Sequence, residues 1–127
     1  MREYLDSDVL IWHLRGHAGA RALLKSLRAD ANRMLCLGVL QRAEIVFFAR
    51  AEELHPTLLL LSLFETAPVD AGVVDLGGEL YRAWHPSHGI DMADALLAAT
   101  VMKTGGRIHT LNRKHFPMPD LLVQQAW

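Results

Sequence analysis

The chain has 127 residues, 51% of them hydrophobic and 21% charged, with a net charge of −1. These proportions exclude a disordered chain, and the near-neutral balance excludes a global basic field, so nucleic-acid binding would have to use a local patch. The one cysteine, Cys36, excludes an internal disulfide and a cysteine-based zinc site.

This length fits a single domain over residues 1–127, burying about two-thirds of the surface its unfolded chain exposes. The start, Met1-Arg2-Glu3-Tyr4-Leu5-Asp6, carries charges where a signal peptide needs apolar residues. No apolar run approaches the roughly 20 residues of a membrane span, so a cytoplasmic protein is expected.

Tyr4-Leu5 ends a short first strand, and Asp6-Ser7-Asp8 follows at once. Residues 9–14 then read as a helix capped by Ser7 or Asp8, and Gly16 breaks it. Residues 18–29 are amphipathic, with Ala22, Leu23 and Leu27 on one side and Arg21, Lys25 and Arg28 on the other. A turn at 30–32 leads to an apolar strand at 33–37, which holds Cys36 as a buried, inert thiol. Gly38 opens a helix over 39–51 that carries Glu44 near its start. Pro56 is expected at the first turn of a further helix reaching about residue 66. A brief third strand is expected at 67–69, then a helix over 71–84 and a loop at 85–89.

The stretch from Gly89 to Thr100 reads as the most distinctive helix. Ala95 to Met102 is eight residues without a charge, so this helix is apolar nearly all round and predicts burial. Asp94 and Asp91 sit at its start, and a buried carboxylate costs several kcal/mol or more unless it is paired or binds a metal. Taken locally, Asp91 as N-cap with Asp94 completing the turn is as good a reading as a metal site. Gly105-Gly106 ends the helix, 107–111 is a fourth strand, 112–117 a turn or short helix, and 121–123 a last edge strand.

Short apolar strands alternating with helices imply an α/β fold of three layers, α/β/α, with a parallel central sheet of four or five strands. Sites in such sheets form at the carboxyl ends of the strands, near the topological switch point. Asp6 follows strand one, Glu44 lies about two turns beyond strand two, Asp94 is in the first turn before strand four, and Asn112 follows strand four. All four fall on that edge. Two carboxylates about 4 Å apart repel by roughly 4 kcal/mol at an effective dielectric of 20. A hard divalent ion removes that cost, and oxygen-only donors favour Mg²⁺ or Mn²⁺. Metal-assisted phosphodiester hydrolysis is the chemistry that matches. On this frame Asp94 is the metal-site residue and Asp91 the cap.

The stretch Tyr4-Leu5-Asp6-Ser7-Asp8-Val9-Leu10-Ile11 with Leu14-Arg15-Gly16 resembles the opening of PIN-domain ribonucleases, most closely the VapC toxins of bacterial toxin–antitoxin pairs. Ala43-Glu44-Ile45 resembles that family's second acidic position. The segment from His88 to Thr100 resembles the one holding the third acid, and Thr110-Leu111-Asn112-Arg113-Lys114-His115-Phe116-Pro117 resembles the fourth. The four motifs occur in the family's order along the whole chain. The resemblance implies a metal-dependent endoribonuclease, inhibited by a cognate VapB-type antitoxin and forming a homodimer. It implies Asp6, Glu44, Asp94 and Asn112 as catalytic positions, with Asp6 and Asp94 holding Mg²⁺ or Mn²⁺. The family often has Asp where this chain has Asn112, which adds no charge for a second ion.

The seven histidines lack metal spacing. His85, His88, Arg113, Lys114, His115 and the Arg15–Arg28 basic residues are candidates for RNA contact, with solvated surface as the plainer reading. Trp12, Phe47, Phe48 and the Leu58–Leu63 run fit core packing or a dimer seam. Three rivals remain. A non-cleaving PIN-fold binding protein would lack a use for the acids. A haloacid-dehalogenase-like phosphatase would use Asp6-Ser7-Asp8 but needs Gly where Val9 stands. A receiver-like domain would use Asp70 and Lys114.

Overall fold

The computed structural model describes residues 1–127. In chain order it contains β1 (Arg2–Leu5), α1 (Ser7–Leu14), α2 (Ala18–Ala29), β2 (Met34–Gly38), α3 (Val39–Phe48), α4 (Ala51–Leu61), β3 (Glu65–Ala67), α5 (Ala71–His88), α6 (Met92–Thr104), β4 (Arg107–Thr110), a 3-10 turn at Arg113–His115, and β5 (Leu122–Gln125). The five strands form one parallel sheet in the order β3-β2-β1-β4-β5. Every connection between paired strands passes through helix or turn, as parallel pairing requires. The chain winds outward from β1 through β2 and β3, then crosses back to place β4 on the other side of β1. The crevice between the carboxyl ends of β1 and β4 is therefore the topological switch point.

Period-two alternation along the strands builds the three layers. Tyr4, Cys36 and Ile108 face one side, where Ala95, Leu97, Ala98 and Val101 of α6 close the core. Leu5, Leu35 and Leu37 face the other, against Val9 and Leu10 of α1 and Leu24 and Leu27 of α2. The Cys36 thiol is buried, and desolvation pushes it up to about 11, so it is inert. Glu3, fully buried on the central strand, bonds His109 Nε2 across β1 and β4 at 2.7 Å and lies 3.4 Å from the Arg33 guanidinium. Burial depresses the His109 pKa against the pull of Glu3.

Residues Asp94 to Val101 are all buried, because α6 lies between the sheet and α5. Its all-round apolarity follows from having a neighbour on both sides. The two helices approach closely at Gly77, where a Cβ would meet Leu96 Cδ2 at 3.0 Å.

Several boundaries differ from the sequence expectation. Asp6, rather than Ser7 or Asp8, caps α1. The helix expected over 39–51 ends at Phe48, and α4 starts at Ala51, where the Glu53 carboxylate reaches back to the Arg50 N–H. Pro56 consequently sits inside α4 instead of at its first turn. Its missing N–H frees only one carbonyl of an exposed stretch. β3 is Glu65–Ala67, not 67–69, since Pro68 has no N–H to continue the ladder. α5 continues through 85–88, expected as loop, until Gly89 closes it in the left-handed region at φ 65°. Phe47 and Phe48 are 80% and 84% exposed, so neither packs in the core.

Adjacent glycines on α5 should respond oppositely. Gly78→Ala, whose Cβ would meet only the flexible Arg82 side chain, should stabilise by about 0.5–1 kcal/mol. Gly77→Leu should destabilise by about 1–3 kcal/mol by forcing α5 off Leu96. Urea unfolding of both variants measures the contrast.

Candidate active site

The residues expected from the sequence meet at the switch point, joined by a continuous chain of polar contacts. Asp6 leaves β1 and caps α1: its Oδ1 accepts the Ser7 N–H at 2.9 Å, and its Oδ2 accepts the Thr110 hydroxyl from the end of β4 at 3.0 Å. The Ser7 hydroxyl donates to Glu44 Oε2 at 2.9 Å, tying α3 to α1. Thr110 Oγ1 accepts the Asn112 N–H at 3.0 Å. Asn112 Nδ2 lies 3.0 Å from His115 Nδ1, which lies 3.2 Å from Asp94 Oδ2. Asp91 and Asp94 form a reciprocal capping box at the start of α6. Asp91 Oδ1 accepts the Asp94 N–H at 2.7 Å, and Asp94 Oδ2 accepts the Asp91 N–H at 3.1 Å. Asp91 is thus the cap. Asp94 takes part in the box while facing Asn112 through His115.

The hydrogen bonds hold the group together against the mutual repulsion of its carboxylates. Asp6 is raised to about 7, first by burial and then by the Asp8 charge, with Asp94 adding to it, against the Thr110 and Ser7 bonds that favour the ionised form. Asp94 is also raised to about 7, by burial above all and then by Asp91 and Glu44, while the Asp91 N–H opposes. Burial raises Asp8 as well. Its Oδ2 accepts the Leu111 N–H at 3.3 Å, and its Oδ1 is buried with no partner. Asp94 therefore feels Glu44 through space and Asp6 feels Asp94, although the three come from different elements. No three His, Cys, Asp or Glu side chains converge closely enough to enclose a cation by themselves.

Ser7, Thr110 and His115 carry contacts that sequence reasoning did not assign to the site. Ser7 was visible only as a cap and His115 only as one of a basic run. Thr110 had a signal, its place two residues before Asn112. Asp70, which a receiver-like site would phosphorylate, is instead occupied as the cap of α5, accepting the Val73 N–H at 2.9 Å.

The family model for the PIN domain matches residues 4–118. This chain belongs to the PIN domain family. Ribonuclease VapC10 of Mycobacterium tuberculosis is 37% identical over 119 residues, spanning 93% of this chain and 88% of that protein. Ribonuclease VapC19 of the same organism is 34% identical, spanning 92% of this chain and 94% of that protein. The chain is thus of the VapC type within the PIN domain family. Among solved structures, a toxin–antitoxin complex from Klebsiella pneumoniae matches with a TM-score of 0.81 at 18% identity, covering 98% of both chains. VapBC2 from Rickettsia felis, bound to a promoter DNA fragment, matches with a TM-score of 0.78 at 22% identity, also covering 98% of both chains. At that identity these two attest the PIN fold alone. The haloacid-dehalogenase-like and receiver-like readings fall away.

A raised carboxylate pKa has a defined consequence for this PIN domain. Unfolded Asp titrates near pH 4, so between about 4 and 7 the folded state holds more protons than the unfolded one. Unfolding free energy therefore falls as pH rises through that window and stays low above it. His109, held neutral, contributes the opposite slope at acid pH. With divalent ions chelated, the melting temperature should drop by roughly 4 °C or more from pH 5.5 to pH 8, and Asp6→Asn should flatten the drop. A parent and a variant with identical pH profiles would contradict the assignment.

Proposed function

We propose that this PIN domain, a single unit over residues 1–127, is a divalent-metal-dependent endoribonuclease and the toxin of a toxin–antitoxin pair. One observation carries the reading: the half-buried Asp6 and the buried Asp94 come from different elements to the switch point, and burial and neighbouring acids hold both above the usual carboxylate range. The names of the VapC ribonucleases support it.

Asp6 and Asp94 fit Mg²⁺, with Mn²⁺ as the alternative, on charge and donor chemistry. Mg²⁺ keeps several waters and takes one or two carboxylates, so a cage of three side chains is not required. Such an ion would supply positive charge at the scissile phosphate and acidify the attacking water. Ser7 holds the Glu44 carboxylate in place, leaving its other oxygen to accept the proton of that water. Asn112, held by its backbone N–H on Thr110 Oγ1, orients a water without adding charge. His115 Nδ1 lies 3.2 Å from Asp94 Oδ2 and, when it carries the ring proton, donates to that carboxylate.

Partners follow from the surface. A cleft of about 480 Å³ lies between α1, α3 and α4, lined by Ile11, Arg15, Glu44, Phe48, Arg50 and Pro56. An antitoxin segment with apolar side chains and an Arg for the carboxylates suits it. Exposed Phe47, Phe48 and Leu59 offer a seam for a homodimer. No helix is long and apolar enough to cross a membrane, and a cytoplasmic site of action agrees with the RNA substrate.

Asp94→Asn should lower RNA cleavage by at least about 10²-fold and relieve growth arrest, with the fold intact by circular dichroism. Asp91→Asn should lose far less, because Asn also caps well. Mapping RNA ends after induction of each chain tests both; wild-type cleavage by Asp94→Asn would refute the assignment.

A further inference from the structure

A second feature lies on the same edge of the sheet. His17 Nδ1 caps α2, accepting the Gly19 and Ala20 N–H groups at 3.1 and 3.3 Å. The Trp127 indole stacks on the His17 ring, with centroids 4.8 Å apart and planes at 24°. Trp12 meets the same ring edge-on at 5.5 Å, and the Arg15 guanidinium stands 5.5 Å from the Trp12 centroid. Capping accounts for His17. It does not account for two tryptophans left 40% and 39% exposed around it, since an indole gains stability by being covered.

The ledge is wired to the acids. Trp127 follows β5 by two residues, at the carboxyl edge. Gln125 Nε2 donates to the carbonyls of both Trp127 and Leu111, and the Leu111 N–H donates to Asp8 Oδ2, two residues along from Asp6. Asn112 is the next residue along from Leu111.

We infer that the His17–Trp127 stack, with Arg15 beside it, is a base-stacking ledge that binds one unpaired nucleobase of single-stranded RNA next to the scissile phosphate. This rests on the ribonuclease reading. A nucleobase is a third planar ring that continues the stack, and Arg15 supplies the cation for an adjoining phosphate. Bases in a duplex are already stacked and paired, so the ledge selects single strands.

The test uses the full chain carrying Asp94→Asn, which leaves RNA uncut, and single-stranded 12-mers made abasic at one position at a time. Fluorescence anisotropy should find one position where the abasic site weakens binding about tenfold. In the added Trp127→Leu background, binding to intact RNA should fall about tenfold and the abasic effect should vanish, while Trp127→Phe keeps most of both. A flat abasic scan in the parent overturns the inference, even if Trp127→Leu fails to fold. So does an abasic effect that persists in a folded Trp127→Leu variant, or a variant that loses only antitoxin-peptide binding. Cleavage by the wild-type chain is scored separately. Its absence would sink the nuclease reading, whereas a flat scan beside active cleavage would sink only the ledge.

Discussion

Two carboxylates share a crevice in which burial and neighbouring acids disfavour their ionising together. Asp6 comes off the central strand and Asp94 off the most buried helix, and both arrive where β1 and β4 part. Folding forces them together, because Asp6 also caps α1 and Asp94 also closes the capping box of α6. Neither can turn away without loosening the helix it starts. The repulsion is electrostatic, and a cation placed between the two carboxylates would relieve it.

The layers around the crevice exist to hold that arrangement. α6 is apolar on all sides because it is covered on both, and its rigidity fixes Asp94. The strand order reverses at β1, which opens the gap that Thr110 and Asp6 line. On the far side of the sheet's mid-plane, the buried Glu3–His109 pair ties β1 to β4, so the strands that present Asp6 and Thr110 are cross-linked below the site. A rim of polar partners, Ser7, Thr110 and His115, fixes the acids from outside and tunes which oxygens remain free. Outer partners orient inner acids here in the way that second-layer hydrogen bonds orient metal ligands.

Much of this was legible from residue order. The charge-free run after Asp94 marked the buried helix, Asp91 marked its cap, and alternating apolar strands and helices marked the layers. What escaped depended on distance in the chain. Ser7 meets Glu44 across 37 positions and Thr110 meets Asp6 across 104, and no local pattern encodes either contact. Local rules also lost to tertiary context. Pro56 and Pro86 sit within helices because their missing donors fall on exposed turns. Pro68 moved β3 back by two residues, and Phe47 and Phe48, apolar by type, lie on the surface.

The central claim is that Asp6 and Asp94 stay partly protonated until a divalent cation joins them. Calorimetric titration of Mn²⁺ in buffers of differing ionisation enthalpy counts the protons displaced. At pH 6.5 binding should release about one proton per ion, falling towards zero at pH 9, and Asp94→Asn should reduce the release. Binding that releases no proton at pH 6.5 would contradict the account.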